Sequence, residues 1–129
     1  KIPGLLIEGR PVYDDEYIKV ICSSQINLCF LRQENRDLQT CRSIEIPACG
    51  GFMLHERNVE MADIFEEDSE AVYFSSDQEL FEQCKKWLLD STMREEVAIN
   101  GLEKVTKGSF SHNERLQEIL DAARQAGAE

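Results

Sequence analysis

Three short and nearly unbroken apolar runs, each followed by a polar loop and a helical pattern, constrain this chain most. They are Ile26-Asn27-Leu28-Cys29-Phe30-Leu31, Phe52-Met53-Leu54 and Glu70-Ala71-Val72-Tyr73-Phe74. A strand with one wet face alternates apolar and polar residues, whereas a strand covered on both faces does not. Strands of this kind that alternate with helices imply an α/β chain, with a mainly parallel sheet and helices on both faces. Leu5-Leu6-Ile7 is a candidate for a fourth strand, ended by Gly9-Arg10-Pro11. A doubly wound sheet normally has five or six strands. The chain therefore reads as the later part of such a domain, or as a small version of one.

The helices are marked by their ends. Asp14-Asp15-Glu16 suits a first turn, where acidic side chains meet the positive end of the helix dipole, and that helix runs to about Ser24. After the loop Arg32-Gln33-Glu34-Asn35-Arg36-Asp37, a second helix is expected from near Leu38 to the stop at Gly50-Gly51, with Pro47 weakening its last turn. Ala62-Asp63-Ile64-Phe65 reads as loop. Three helices then follow, each opened by a Ser or Thr with Glu three residues on: Ser76 with Glu79, Thr92 with Glu95, Ser111 with Glu114. Their apolar residues recur at helical spacing, as in Leu80, Phe81, Cys84 and Leu88, or Leu116, Ile119, Leu120 and Ala123, which is the pattern of packing faces.

Charge and cysteine usage exclude several classes. The net charge is −11, which disfavours nucleic acid and anionic membrane as partners. Residues 1–60 hold 7 basic and 9 acidic groups, and residues 61–129 hold 7 and 16, so the excess lies in the second half. An anionic ligand is better tolerated by the first. No apolar run reaches the length of a membrane span, and no signal peptide is recognisable. Cys22, Cys29, Cys41, Cys49 and Cys84 form no CxxC pair and no zinc-ligand pattern. Their odd number fits a reducing cytoplasm, with Cys29, Cys41, Cys49 and Cys84 expected as buried thiols without metal. Lys1 leads directly into Ile2 without an initiating Met, which suggests a chain cut from something longer.

In open parallel sheets, ligands bind beyond the carboxyl ends of the strands. Two polar clusters fall there. After Leu31 come Asn35, Arg36 and Asp37, leading to a helix that carries Thr40, Arg42 and Glu45; after Leu54 come His55, Glu56 and Arg57. The start of the helix near Leu38 offers free N–H groups to a phosphate, and Arg36 and Arg42 offer charge-assisted bonds to the same group. Glu45 can accept hydrogen bonds from a diol. The plain alternative is that Arg42 and Glu45 are solvated helix residues and that Asp37 is only an N-cap. No GxGxxG follows a strand and no GxxxxGK[ST] occurs, so a dinucleotide fingerprint and a P-loop are both absent. No Ser or Cys nucleophile is paired with a recognisable base, and His55 and His112, far apart in sequence, read as ordinary surface or hydrogen-bonded residues.

Cys41-Arg42-Ser43-Ile44-Glu45-Ile46-Pro47-Ala48-Cys49-Gly50-Gly51-Phe52-Met53-Leu54 resembles the R-x-x-E-x-x-A-C-G-x-x-x-L segment of glycosyl-transferases-group-1-like domains, particularly the spore maturation protein B (CgeB-like) branch. Asn35-Arg36-Asp37 upstream, Glu70-Ala71-Val72-Tyr73-Phe74 and Ser109 to Leu116 downstream extend the likeness over roughly residues 9 to 120. The resemblance implies the C-terminal, Rossmann-like half of a GT-B fold, a single domain over 1–129 that binds a nucleotide-sugar while an N-terminal domain holds the acceptor. It implies donor-side roles for Asn35, Arg36, Asp37, Thr40, Arg42 and Glu45, with His55 and Glu56 as further candidates. Asp37 stands eight residues before Glu45, where many relatives have Glu. Basic side chains and a helix N-terminus, with no cofactor or metal, would meet the donor phosphates. The implied activity is sugar transfer in a longer protein, with the isolated chain inactive. Two alternatives stand beside it: a nucleotide-sugar epimerase of the same fold, and a non-catalytic α/β interaction or regulatory module.

Overall fold

The computed structural model describes Gly4, Leu6, Ile7 and residues 9–127. Helix α1 (Asp14–Ser23) leads into strand β1 (Asn27–Cys29), and a 3-10 turn at Gln33–Asn35 precedes helix α2 (Cys41–Ala48). Strand β2 (Met53–Glu56), helix α3 (Val59–Ile64) and strand β3 (Val72–Phe74) follow, and helices α4 (Asp77–Leu89), α5 (Ser91–Lys107) and α6 (His112–Gln125) close the chain. The strands form one parallel sheet in the order β1-β2-β3, with Leu28 opposite Leu54 and Leu54 opposite Val72. This is the α/β arrangement expected from the apolar runs, a Rossmann-like fragment.

Successive strand residues feed two apolar layers, as the pleat requires. Cys29, Met53 and Tyr73 pack with Ile21 of α1, Ile46 of α2 and Met61 of α3. Leu54, Val72 and Phe74 pack on the other face with Trp87 of α4 and Val97 of α5. Helix α5 passes from one layer to the other, Val97 lying in the second and Val105 against the first. It crosses where β3 begins, with Gly101 against the Glu70 carbonyl and Pro47. Leu28, on the α4 face of β1, stays 43% exposed.

Several helix boundaries differ from the sequence expectation. Helix α2 starts at Cys41 rather than near Leu38, because Thr40 is its N-cap: the Thr40 N–H donates to Ser43 Oγ at 2.9 Å. Its end is as expected. Gly50 takes the left-handed conformation (φ 73°), and the N–H groups of Gly50 and Gly51 close on the carbonyls of Pro47 and Ile46. Ala62-Asp63-Ile64 is helical and completes α3, which Asn58 caps by accepting the Met61 N–H at 3.0 Å. Asp90, not Thr92, caps α5, since α4 ends at Leu89 and no loop separates the two helices. The expected strand at 5–7 is not found: Leu5 lies outside the described residues, and Leu6 and Ile7 are exposed and in no strand.

Candidate functional site

Helices that connect parallel strands run back against them, so their N-termini lie at the carboxyl end of the sheet. Here α1 and α2 bring theirs to the end of β1, and the space between is a cleft of about 640 Å³, the size of a small-molecule site. Tyr13 and Asp14 come from the start of α1, Tyr17 from its second turn, Phe30 and Arg32 from the end of β1, and Thr40, Arg42 and Glu45 from the start of α2. Asn35 and Asp37 close the side toward the loop, joined by a long contact of 3.5 Å.

Of the residues singled out from sequence, Asn35, Asp37, Thr40, Arg42 and Glu45 are thus brought together. Arg36 is not among those that line the cleft; it takes a left-handed backbone (φ 55°) and is exposed. His55 is fully buried and Glu56 half-buried, and neither lines the cleft. Both serve the framework. His55 Nε2 lies 2.8 Å from Ser43 Oγ, and Glu56 Oε2 accepts the Leu31 N–H at 3.0 Å. Burial holds His55 below the ordinary histidine range. Arg57 is committed elsewhere, with both terminal nitrogens on Glu67 at 2.5 and 2.6 Å and a further pair to Glu79 at 3.1 Å.

The cleft itself is electrostatically mixed. Arg32 and Arg42 form no ion pair among the described residues, so two guanidinium groups face the opening uncommitted. Against them stand Asp14, Asp37 and Glu45. Guanidinium groups suit phosphate oxygens, and carboxylates suit hydroxyl donors. Tyr17 donates to Glu45 Oε2 at 2.9 Å, and Oε1 has no partner among the described residues. Its phenol is pushed up to about 12, first by burial and then by the Glu45 carboxylate. Tyr17, Arg32, Tyr13 and Phe30 were not singled out from the sequence. One signal was available: Tyr13, Tyr17 and Ile21 recur every four residues along α1, a face hidden behind the more obvious run of acids.

The cysteines depart from expectation. Cys29 is buried, Cys49 and Cys84 are half-buried, and Cys41 is exposed. Cys41 is the first residue of α2, on the turn that faces two clefts, so no element covers it. Among the described residues no helix is long and apolar enough to cross a membrane.

Compared with known families, residues 5–121 match the glycosyl transferase-like family. The chain belongs to that family. No curated protein and no solved structure matches it. The glycosyl transferase-like match spans α1 through most of α6, so it covers every residue of the cleft. A function of the glycosyltransferase type follows. In this glycosyl transferase-like chain the cleft carries, among the described residues, two guanidiniums without an ion pair and three carboxylates, of which that of Glu45 already accepts from Tyr17.

Proposed function

We propose that this chain is the donor-binding part of a GT-B glycosyltransferase of the CgeB-like kind, working in the cytoplasm. It holds a nucleotide-sugar while a second domain presents the acceptor. The observation that carries the proposal is the meeting of Arg32, Arg42 and the open Glu45 oxygen in one cleft at the carboxyl end of a parallel sheet. The first turn of α2 and the two guanidiniums take the donor phosphates, because free N–H groups, the helix dipole and fixed cations all favour an anion. Glu45, steadied by Tyr17, accepts the ribose hydroxyls. Tyr13 and Phe30 give the base an apolar wall. No metal or cofactor enters the proposal. Transfer needs donor and acceptor held in register between two domains, so the chain alone binds the donor and does not turn it over.

The test is titration of UDP, GDP, ADP and CDP, and of the matching nucleosides, into wild type, Glu45→Gln, Arg42→Ala and Glu118→Gln at two salt concentrations. Hydrogen bonds to charged groups contribute about 1.5–3 kcal/mol, so Glu45→Gln should weaken the preferred diphosphate by about tenfold to a hundredfold. Arg42→Ala should weaken the diphosphate far more than the nucleoside, with a loss that shrinks in high salt. Glu118 pairs with Arg115 on exposed α6 and serves as the control. Equal affinities in all four proteins would remove this cleft from donor binding.

A further inference from the structure

We infer that His55 is a positioning residue for this cleft, acting through Ser43 on the first turn of α2 and through the backbone at the end of its own strand. This rests on the donor-site proposal above and extends it to a residue that touches no ligand. Four bonds carry the inference. His55 Nδ1 lies 2.6 Å from the Glu56 carbonyl oxygen. A carbonyl only accepts, so the ring proton sits on Nδ1 and Nε2 presents a lone pair. The Ser43 hydroxyl, 2.8 Å away, therefore donates to Nε2. Its oxygen is left to accept the Thr40 N–H at 2.9 Å, which sets the N-cap of α2. The neighbouring Glu56 side chain holds the Leu31 N–H at 3.0 Å, between Phe30 and Arg32. The end of β2 thus ties down the start of α2 and the end of β1, and His55 and Ser43 are fully buried.

The relay works only with a neutral imidazole. The groups around the ring are Ser43 from α2, Cys29 paired across from β1, the Tyr73 ring at 6.4 Å from β3, and the Glu56 carboxylate on the last residue of its own strand. A proton on Nε2 would turn it into a donor facing the Ser43 hydroxyl. Ser43 would have to swing its hydrogen away and accept from two N–H groups at once. Burial opposes that charge and Glu56 favours it, with burial the stronger. The folded protein therefore keeps His55 neutral below the usual histidine range, while the unfolded chain takes up a proton near pH 6.5. The contribution of the relay is full above that pH and declines as pH falls toward the folded-state value.

The experiment compares wild type with His55→Gln, His55→Leu and Ser43→Ala, titrating UDP, GDP, ADP and CDP at pH 7.5 and 5.5. Helix content is followed by circular dichroism, and amide exchange is followed over residues 39–46. Gln can offer an amide oxygen to Ser43, whereas Leu fills the space with no acceptor. His55→Leu and Ser43→Ala should weaken the preferred diphosphate at least fivefold at pH 7.5, with His55→Gln within about twofold of wild type. Urea unfolding at the two pH values reads the titration: wild type should lose more stability than His55→Gln between pH 7.5 and 5.5, because the unfolded chain takes up the proton that the folded one resists. A folded His55→Leu that binds as wild type does, a His55→Gln no better than His55→Leu, or the same pH dependence of stability in wild type and His55→Gln would overturn the inference. Should His55→Leu or Ser43→Ala fail to fold, the comparison of wild type with His55→Gln decides. Should wild type bind no diphosphate, the donor proposal fails, and exchange judges the relay: opening of residues 40–44 at pH 5.5 in wild type but not in His55→Gln supports it, and equal protection refutes it.

Discussion

Gly101 is the point where α5 leans on the entry to β3, and replacing it tests how tightly the crossing is built. A Cβ added there would lie 2.7 Å from the Glu70 carbonyl oxygen and 3.4 Å from Pro47 Cβ. The Glu70 oxygen cannot easily retreat. Glu70 N–H is bonded to the Glu66 carbonyl at 2.8 Å, Asp68 N–H to the Ala71 carbonyl at 2.8 Å, and Asn100 Nδ2 holds the Ser69 carbonyl at 3.1 Å. Pro47 sits inside α2, which carries Arg42 and Glu45. Two effects oppose one another in Gly101→Ala. Ala is favoured over Gly in a helix by about 1 kcal/mol. Forcing a methyl into a packed contact costs about 1–3 kcal/mol, and a shift of α5 strains the Asn100 bond, worth about another 1 kcal/mol. The balance is a loss of about 1–3 kcal/mol. For a domain of this size, 1 kcal/mol corresponds to about 3–5 °C in Tm, so the variant should melt about 3–15 °C below wild type. Thermal unfolding by circular dichroism at pH 7.5 measures it directly. An unchanged or higher Tm would mean that α5 does not press on the β3 entry, and the close crossing would be refuted.

Two further outcomes follow from burial and hydrogen bonding. Tyr73→Phe removes a buried hydroxyl that reaches the Met61 and Phe65 carbonyls at 2.7 and 3.0 Å; urea unfolding should show a loss of about 1–3 kcal/mol, and no loss would mean those carbonyls are satisfied without it. A thiol reagent added to the reduced native protein should modify exposed Cys22 and Cys41 first, Cys49 and Cys84 more slowly and buried Cys29 only on unfolding, whose thiol burial also pushes up; equal rates at all five would contradict this ordering.

Local patterns along the chain determined the class of fold and the neighbourhood of the site. The unbroken apolar runs at 26–31, 52–54 and 70–74 demanded a sheet covered on both faces, and β1, β2 and β3 lie within or across them. Arg42 and Glu45 share one face of a helix because they are three residues apart, and their place after the first buried strand put them at its carboxyl end. Helix starts were less legible where several capping residues compete. Asp90, Ser91 and Thr92 are all good caps, and only the end of α4 at Leu89 selects Asp90. What tertiary structure alone decided is which polar groups are already spent. His55, Glu56 and Arg57 stand at the carboxyl end of β2 much as Arg32 and Asn35 follow β1. Yet His55 is buried against Ser43, Glu56 is bonded to Leu31, and Arg57 is paired with Glu67, while Arg32 and Arg42 form no ion pair among the described residues. Those pairings join residues 10 to 25 positions apart. No local spacing encodes them, because they exist only once the sheet has set β1 beside β2 and laid α2 across both.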